Sequence, residues 1–327
     1  MKKQNSIPIF FSCDDRYIPF LATALRSLID HAKQPLPYQV YILNNGLRQE
    51  NMENIRAMET DRVSVRFVDV SERVRPLMHR LDLRDYYTVS IYFRLFIPAM
   101  FPELDKAVYL DADTVLLSDI AELFFTDLRG KLLAAVPDAV IASRADFIRY
   151  AEQGVGVHYR RYFNSGVLLM DLKKLRAFDI EGRFVYLLNT YRFDTVCPDQ
   201  DYLNVICRDR VLYLGKGWNK MSIDLSPTPD IHLVHYNMFN KPWLYEDTPY
   251  GEHFWHYAKK TAYYEEITAM RSNYTEDDRK KDKIAERQLV EKTHTIVQLP
   301  NNFKKILFDE VTEAYETEDF SLAARQA

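Results

Sequence analysis

Apolar residues in the first 140 positions come in short continuous runs, each followed by polar residues and a stretch of helical spacing. Residues 7–11 (IPIFF) read as a buried strand and are followed at once by Asp14, Asp15 and Arg16. Leu21, Leu25, Leu28 and Ile29 then recur at helical spacing. Residues 40–43 predict a second strand, 49–58 a polar helix and 63–68 a third strand. Strand, helix and strand in this rhythm predict an α/β fold with a parallel, doubly wound sheet and right-handed crossovers. Residues 86–101 read as a helix with Tyr92, Leu95, Phe96 and Ala99 on its apolar side and Arg94 among them. It feeds VYLDADTVLL (108–117), where a buried strand ends at Asp111 and delivers Asp111 and Asp113, and a second apolar run carries the chain away. Residues 132–136 give a fifth strand that closes on Pro137 and Asp138.

On a strand, residues two apart point the same way, so Asp111 and Asp113 would face one site across the small Ala112. Two carboxylates that close repel, and a buried pair is tolerable mainly with a cation between them. An acidic strand end in water is the simpler alternative, and D-x-D alone does not choose. Open sheets of this class bind ligands beyond the carboxyl ends of their strands. Asp14, Asp111, Asp113 and Asp138 all fall there, which favours the metal and ligand reading.

After Asp138 the pattern loosens. Residues 141–160 read as a helix broken near Gly154 and Gly156, and 162–171 (YFNSGVLLMD) as a strand entered through Gly166. Gly166 there suggests close approach of a ligand or neighbour to the backbone. Residues 172–188 are helical, Pro198 and Asp199 open another helix, 232–236 is a short strand, and 251–264 is an aromatic helix. From about residue 272 the composition turns to dense mixed charge, so the chain divides into a globular domain, 1–271, and a charged, mainly helical extension, 272–327. A solvated tail is the simplest reading of that extension. Peripheral membrane association or homo-oligomerisation through it, with Lys280, Lys281 and Lys283 as a basic patch, is the sharper alternative.

Composition narrows the function. A net charge of −4 argues against general affinity for nucleic acid. Three cysteines without a C-x-x-C pair indicate neither a zinc knuckle nor a disulfide framework. The basic start has too short an apolar run for a signal peptide, and no run is long enough to span a bilayer, so a cytoplasmic protein is expected, at most peripheral at the inner membrane face. With nine glycines there is no G-x-G-x-x-G and no Walker A loop, so backbone cradling of a nucleotide is not expected. A diphosphate could instead be held through a metal. His235 beside two aspartates suits Mn²⁺ better than Mg²⁺, which prefers oxygen. Lys241, just before Pro242–Trp243, could neutralise a leaving phosphate, although singly it also reads as a surface lysine.

Taken in order, FSCDDRY, the YFRL segment with Arg94, YLDADTVLL, Asp138, FNSGVLLMDL, PDQDYLN and HYNMFNKPW resemble the family 8 glycosyltransferases. These are retaining enzymes of the GT-A fold, a Rossmann-like nucleotide-diphospho-sugar transferase fold with a mostly parallel sheet flanked by helices, and include bacterial lipopolysaccharide galactosyl- and glucosyltransferases and glycogenin. The resemblance implies transfer of glucose or galactose from UDP-glucose or UDP-galactose to a glycan or glycolipid acceptor, in lipopolysaccharide or other cell-surface glycan synthesis. It implies Asp111, Asp113 and His235 as Mn²⁺ ligands, Mg²⁺ being the alternative ion. Asp14, Asp15 and Tyr17 would lie against uracil and ribose, and Ala112 at the nucleotide. Arg94, Asp138, Asn164, Ser165 and Asp199 would contact the donor sugar or one another. Gln200 would lie beneath the anomeric carbon as a catalytic residue with Asp199 beside it, and Lys241 on the diphosphate. Met238 stands where several members of the family have Gly.

Two other readings start from the same residues. An apolar strand followed by D-A-D-T-V also resembles haloacid-dehalogenase-like phosphatases, with Asp111 as nucleophile and Asp113 as acid/base. A non-catalytic glycan-binding protein on the same scaffold is the other.

Overall fold

Strand β1 (Ile7–Ser12) is buried along its whole length, because both of its faces are covered. Ile7, Ile9 and Phe11 enter one hydrophobic core and Phe10 the other. The structure, a computed structural model, describes residues 5–81 and 89–309. The first residues of the helix expected over 86–101 and the end of the extension, 310–327, lie outside the described residues. Helix α1 (Ile18–His31) begins with proline in its first turn, where the missing N–H costs nothing. Then come β2 (Tyr38–Asn44), α2 (Gln49–Arg56), β3 (Val63–Asp69) and the single turn α3 (Ser71–Val74). β1, β2 and β3 pair in parallel, with Phe10 opposite Tyr41 and their rings stacked at 4.7 Å.

The helix expected through Arg94 is a 3₁₀ segment, Val89–Leu95, followed by α4 (Ile97–Met100). Pro98 has no N–H, and its ring clashes with the carbonyl four residues back, so a regular α-helix cannot run through it. β4 (Lys106–Leu110) returns to the sheet beside β1, and β5 (Thr114–Leu116) leaves it for a second, smaller one. The strand expected to end at Asp111 is β4, and the second apolar run is β5; Asp111, Ala112 and Asp113 lie in the turn between them, which corrects the placing of both carboxylates on one strand. The Thr114 hydroxyl donates to the Asp111 carbonyl at 2.8 Å and closes this turn.

Next follow α5 (Ala121–Phe124), β6 (Leu133–Ala135), α6 (Ala139–Ser143) and α7 (Ala145–Arg149). The helix expected over 141–160 is thus several short pieces, among them a π-turn, Tyr150–Val155, ending on Gly156 at φ 84°, and a 3₁₀ turn, Tyr159–Arg161. β7 (Val167–Asp171) precedes α8 (Leu172–Ala177) and α9 (Ile180–Thr190). The helix expected over 172–188 breaks between these two at Asp179, φ 51°, whose carboxylate caps the Gly182 N–H. α10 (Pro198–Ile206), β8 (Val211–Tyr213), β9 (Lys220–Met221) and β10 (Leu233–His235) complete the two sheets. The expected 251–264 helix is α11 (Gly251–Ala258), with α12 (Tyr264–Ser272) after it.

The large sheet runs β3-β2-β1-β4-β7-β6-β8. β7 is antiparallel to both of its neighbours, so the sheet is mostly parallel, as the GT-A resemblance implies. The chain reverses direction of growth between β1 and β4, and the carboxyl ends of these strands form the switch-point crevice. The small sheet, β5-β10-β9, stands at the mouth of that crevice.

Helix α13 (Glu276–Gln298) opens with a capping box between Thr275 and Asp278. It is not a solvated tail. Thr293, Ile296 and Val297 are buried, and Leu289 and Val290 pack against the main core. Among the described residues, no helix is long and apolar enough to cross a membrane.

Candidate active site

Three segments distant in sequence meet at the turn between β4 and β5. The Asp111 N–H donates to the Gly166 carbonyl at 2.8 Å, which ties the turn to the start of β7. β10 pairs antiparallel with β5, placing His235 opposite Thr114, and the Tyr236 N–H donates to the Asp113 carbonyl at 3.0 Å. His235 Nε2 lies 3.2 Å from Asp113 Oδ1 and 3.8 Å from Asp111 Oδ2. One ligand atom from each of the three lies within 4.8 Å of the other two. Two carboxylates and one imidazole converging in this way form a donor set for a divalent cation.

Glycine at position 166 keeps this cradle open. A Cβ there would stand 2.4 Å from His235 Cε1 and 2.5 Å from Asp111 Oδ2. The space beside the three ligands therefore belongs to the site and not to a side chain, and the residues fit a metal.

Asp111 and Asp113 each carry a cationic partner. Lys241 donates to Asp113 Oδ2 and to the Tyr236 carbonyl. Burial disfavours charge on Asp113, but Lys241 and then His235 outweigh it and hold its carboxyl well below the ordinary range. Burial likewise opposes charge on Lys241, and Asp113 outweighs it, so the ammonium stays protonated well above neutrality. Arg94 is 3% exposed and spends its donors on the site. Its Nη2 donates to Asp111 Oδ1 at 2.9 Å, its Nη1 to the carbonyl and hydroxyl of Ser165, and its Nε lies 3.1 Å from Asp199 Oδ2. Burial works against its charge, and Asp111 and Asp199 more than restore it.

Behind the ligands runs a polar chain. His235 Nδ1 meets Asn219 Oδ1 at 3.0 Å, and Asn219 Nδ2 donates to Asn164 Oδ1 at 2.9 Å. Asn164 Nδ2 and Gln200 Nε2 both donate to Asp138 Oδ2 at 3.0 Å. The other Asp138 oxygen caps α6 through the N–H groups of Val140 and Ile141. Gln200 Oε1 accepts from the Ser165 N–H at 2.9 Å, and the Ser165 hydroxyl donates to Asp199 at 2.9 Å. Burial, with Asp111 adding to it, raises Asp199 to about 6 in spite of Arg94.

A cavity of about 550 Å³ opens over this floor, lined by Tyr17, Arg94, Asp111, Ala112, Asp113, Asp138, Asn164, Ser165, Asp199, Gln200, His235 and Lys241. Twelve of the fourteen site residues expected from sequence thus share one cavity. The other two serve the turn after β1. Asp14 accepts from the N–H groups of Arg16 and Tyr17, and Asp15 accepts from Arg48 N–H and Asn51 Nδ2, joining that turn to the start of α2. Asp201, which flanks Gln200, is fully buried and takes the hydroxyls of Tyr150 and Tyr162 and the N–H groups of Val196 and Cys197.

Sequence reasoning missed Asn219 and the contribution of α13, whose Ala285, Gln288, Leu289 and Lys292 line the cavity. For Asn219 there was no local signal; for α13 the signal was the 285–288–289–292 spacing, one stripe of a helix. Met238, also at the cavity, has φ 62°, a left-handed conformation that glycine adopts freely. The phosphatase reading would need Asp111 to attack, whereas its Oδ1 accepts from Arg94 and Tyr109 and its Oδ2 faces His235.

Known proteins share this arrangement of the chain. General stress protein A of Bacillus subtilis (strain 168) is 25% identical over 285 residues, covering 80% of this chain and 96% of that protein. A lipopolysaccharide 1,2-glucosyltransferase of Escherichia coli (strain K12) is 29% identical over 220 residues, 62% of this chain and 60% of that enzyme. The solved structure of the galactosyltransferase LgtC in complex with donor and acceptor sugar analogues superposes with a TM-score of 0.66 at 24% identity, covering 78% of this chain and 96% of that one. That likeness is one of fold, the GT-A architecture of a mostly parallel sheet flanked by helices. The sequence profile of Glycosyl transferase family 8 matches residues 8–247, and the chain belongs to that family.

Proposed function

We propose that this protein is a retaining hexosyltransferase that moves glucose or galactose from a UDP-sugar to a glycan hydroxyl, with Mn²⁺ as its preferred ion, in the synthesis of lipopolysaccharide or another cell-surface glycan. The observation that carries this reading is the meeting of Asp111, Asp113 and His235 in a cavity at the sheet's switch point, with the Lys241 ammonium beside them. The imidazole in the donor set favours Mn²⁺ over Mg²⁺. The lipopolysaccharide glucosyltransferase relative supports the substrate class.

Breaking the bond between sugar and diphosphate leaves charge on the β-phosphate, which a divalent cation held by Asp111, Asp113 and His235 would neutralise. Lys241, kept protonated by Asp113, is placed to add a second positive charge. Arg94 fixes Asp111 and Asp199 against the Ser165 backbone, so the cavity floor needs little reorganisation during reaction. Gln200 is held at both ends of its amide, by Asp138 and the Ser165 N–H. An amide is a poor nucleophile, and Asp201 is occupied by four donors. These features favour attack by the acceptor on the face the diphosphate leaves. The C1–O bond to phosphate breaks, the new C1–O bond forms on that face, and the acceptor proton passes to a departing phosphate oxygen.

A panel of UDP-, GDP- and CMP-sugars with Mn²⁺, scored for nucleotide release, tests the reading. UDP release from UDP-glucose or UDP-galactose, slow in water and faster with a glycan acceptor, is expected. Preference for a GDP- or CMP-sugar overturns the donor assignment. A glycosyl adduct trapped on Asp199 overturns same-face attack. No turnover of any donor favours a non-catalytic binding protein.

A further inference from the structure

The cavity has two chemically different sides. Its floor is the charged cluster of Asp111, Asp113, His235, Lys241 and Arg94, whereas Ile141, Phe147 and Leu289 are among the apolar residues of its walls. Ala285, Gln288, Leu289 and Lys292 come from α13, which lies beyond the residues matched by the family profile. Steps of three, one and three residues place them on one stripe of the helix, whose apolar members, Ala285 and Leu289, lie one turn, about 6 Å, apart.

That stripe is held in place from several directions. Ile296 and Val297 are buried, and the Ile296 side chain would stand 3.5 Å from a Cβ built on Gly154. Asp282 accepts from the hydroxyls of Tyr245 and Tyr274 at 2.8 and 2.6 Å. His294 meets Asp146 of α7 at 2.7 Å. The helix is therefore a fixed wall of the cavity.

We infer that α13 forms the acceptor side of the site and seats an apolar aglycone carried by the acceptor sugar, an inference that rests on the transferase reading above. A nucleotide diphosphate is polar along its length and belongs on the charged floor, so the apolar wall is left for the other substrate. Ala285 and Leu289, together with Ile141 and Phe147 from α6 and α7, make this wall apolar, and such a wall suits an alkyl chain. The polar tips of Gln288 and Lys292 border the wall, as expected for a surface that takes an amphiphile with its sugar toward the metal ligands.

The test is calorimetric titration of the full chain with octyl and methyl β-glucosides and β-galactosides, below micelle-forming concentrations, with and without Mn²⁺ and UDP. The octyl glycosides are expected to bind at least ten-fold tighter than their methyl counterparts. Leu289→Asp, which makes the wall polar, and Ala285→Trp, which fills it, should each weaken octyl glycoside binding ten-fold or more while the Kd for UDP moves less than two-fold. Equal binding of octyl and methyl glycosides overturns the inference, since the wall would then meet the sugar itself. Unaltered octyl binding in both variants, or a parallel loss of UDP affinity, overturns it as well. Failure of the transferase reading shows separately, as no UDP binding to the wild type with Mn²⁺, and the octyl-to-methyl ratio without UDP still decides the wall.

Discussion

His235 Nδ1 lies 3.0 Å from Asn219 Oδ1, and this contact sets which nitrogen of the ring faces the carboxylates. The Asn219 amide nitrogen is committed to Asn164, so its oxygen must accept, and Nδ1 must carry the proton. Nε2 is the nitrogen turned toward Asp111 and Asp113, and its lone pair is the one a bound cation would take. Partners that orient a ligating histidine in this way typically govern 10- to 100-fold in metal affinity. Asn219→Ala should therefore weaken Mn²⁺ binding by about that factor, with the far-ultraviolet circular dichroism spectrum unchanged. Mn²⁺ titration followed by electron paramagnetic resonance measures it, and an unchanged Kd would remove Asn219 from the site.

Gly166 makes a sharper prediction. A methyl group at this position collides with both His235 and Asp111, and neither can retreat without breaking the cradle. Gly166→Ala should abolish Mn²⁺ binding in the same titration. Binding at wild-type strength would show that the cation sits elsewhere.

Arg94 is a stability prediction as much as a functional one. Replacing it with methionine leaves Asp199, 5% exposed, without its cation and Asp111 without its guanidinium donor. Removing one partner of a buried ion pair costs about 3–5 kcal/mol. Arg94→Met should lower the urea midpoint by a corresponding amount. Arg94→Lys should recover only part of it, because an ammonium has three donors where the guanidinium serves acceptors on four residues: Ile91, Asp111, Ser165 and Asp199.

Asp201 predicts a pH dependence. Burial raises its pKa from 3.8 to about 7, against the pull of Tyr150, Tyr162 and two backbone N–H groups. The unfolded chain loses this proton near 3.8, so over the window from 3.8 to about 7 the folded state binds more protons. Stability from this group is complete below the unfolded pKa and falls as pH rises toward the folded one, by about 1.4 kcal/mol per unit of difference. Between pH 5 and pH 7.5 the wild type should lose about 2 kcal/mol more than Asp201→Asn, which has no carboxyl to titrate. Urea unfolding at the two pH values measures this, and parallel losses in both proteins would contradict it.

Much of this site was legible in the sequence because its parts are local. Apolar runs ending in Asp111 and Asp138 announce strand ends, and Gly166 before an apolar run announces a close approach. What was not legible is set by long-range pairing. Nothing local to residues 167–171 says that β7 runs against its neighbours, and an apolar run on each side of Asp111–Asp113 fits a turn between two strands as well as one long strand. Arg94 was placed on a helix because the apolar spacing is helical, while Pro98, four residues on, decides otherwise. Asn219 is brought to His235 by the pairing of β9 with β10, which residues 220–221 are too short to signal. The charge of α13 hid its inner stripe, since most of its surface does face water.

The central claim is that Asp111, Asp113 and His235 hold the cation through which a UDP diphosphate binds. Calorimetric titration of UDP into the protein with Mn²⁺, with EDTA, and with Mn²⁺ in Asp111→Asn and Asp113→Asn tests it directly. Tight UDP binding is predicted for the wild type with Mn²⁺, and a loss of at least ten-fold with EDTA and in either variant. UDP binding of equal strength in all four titrations would contradict it.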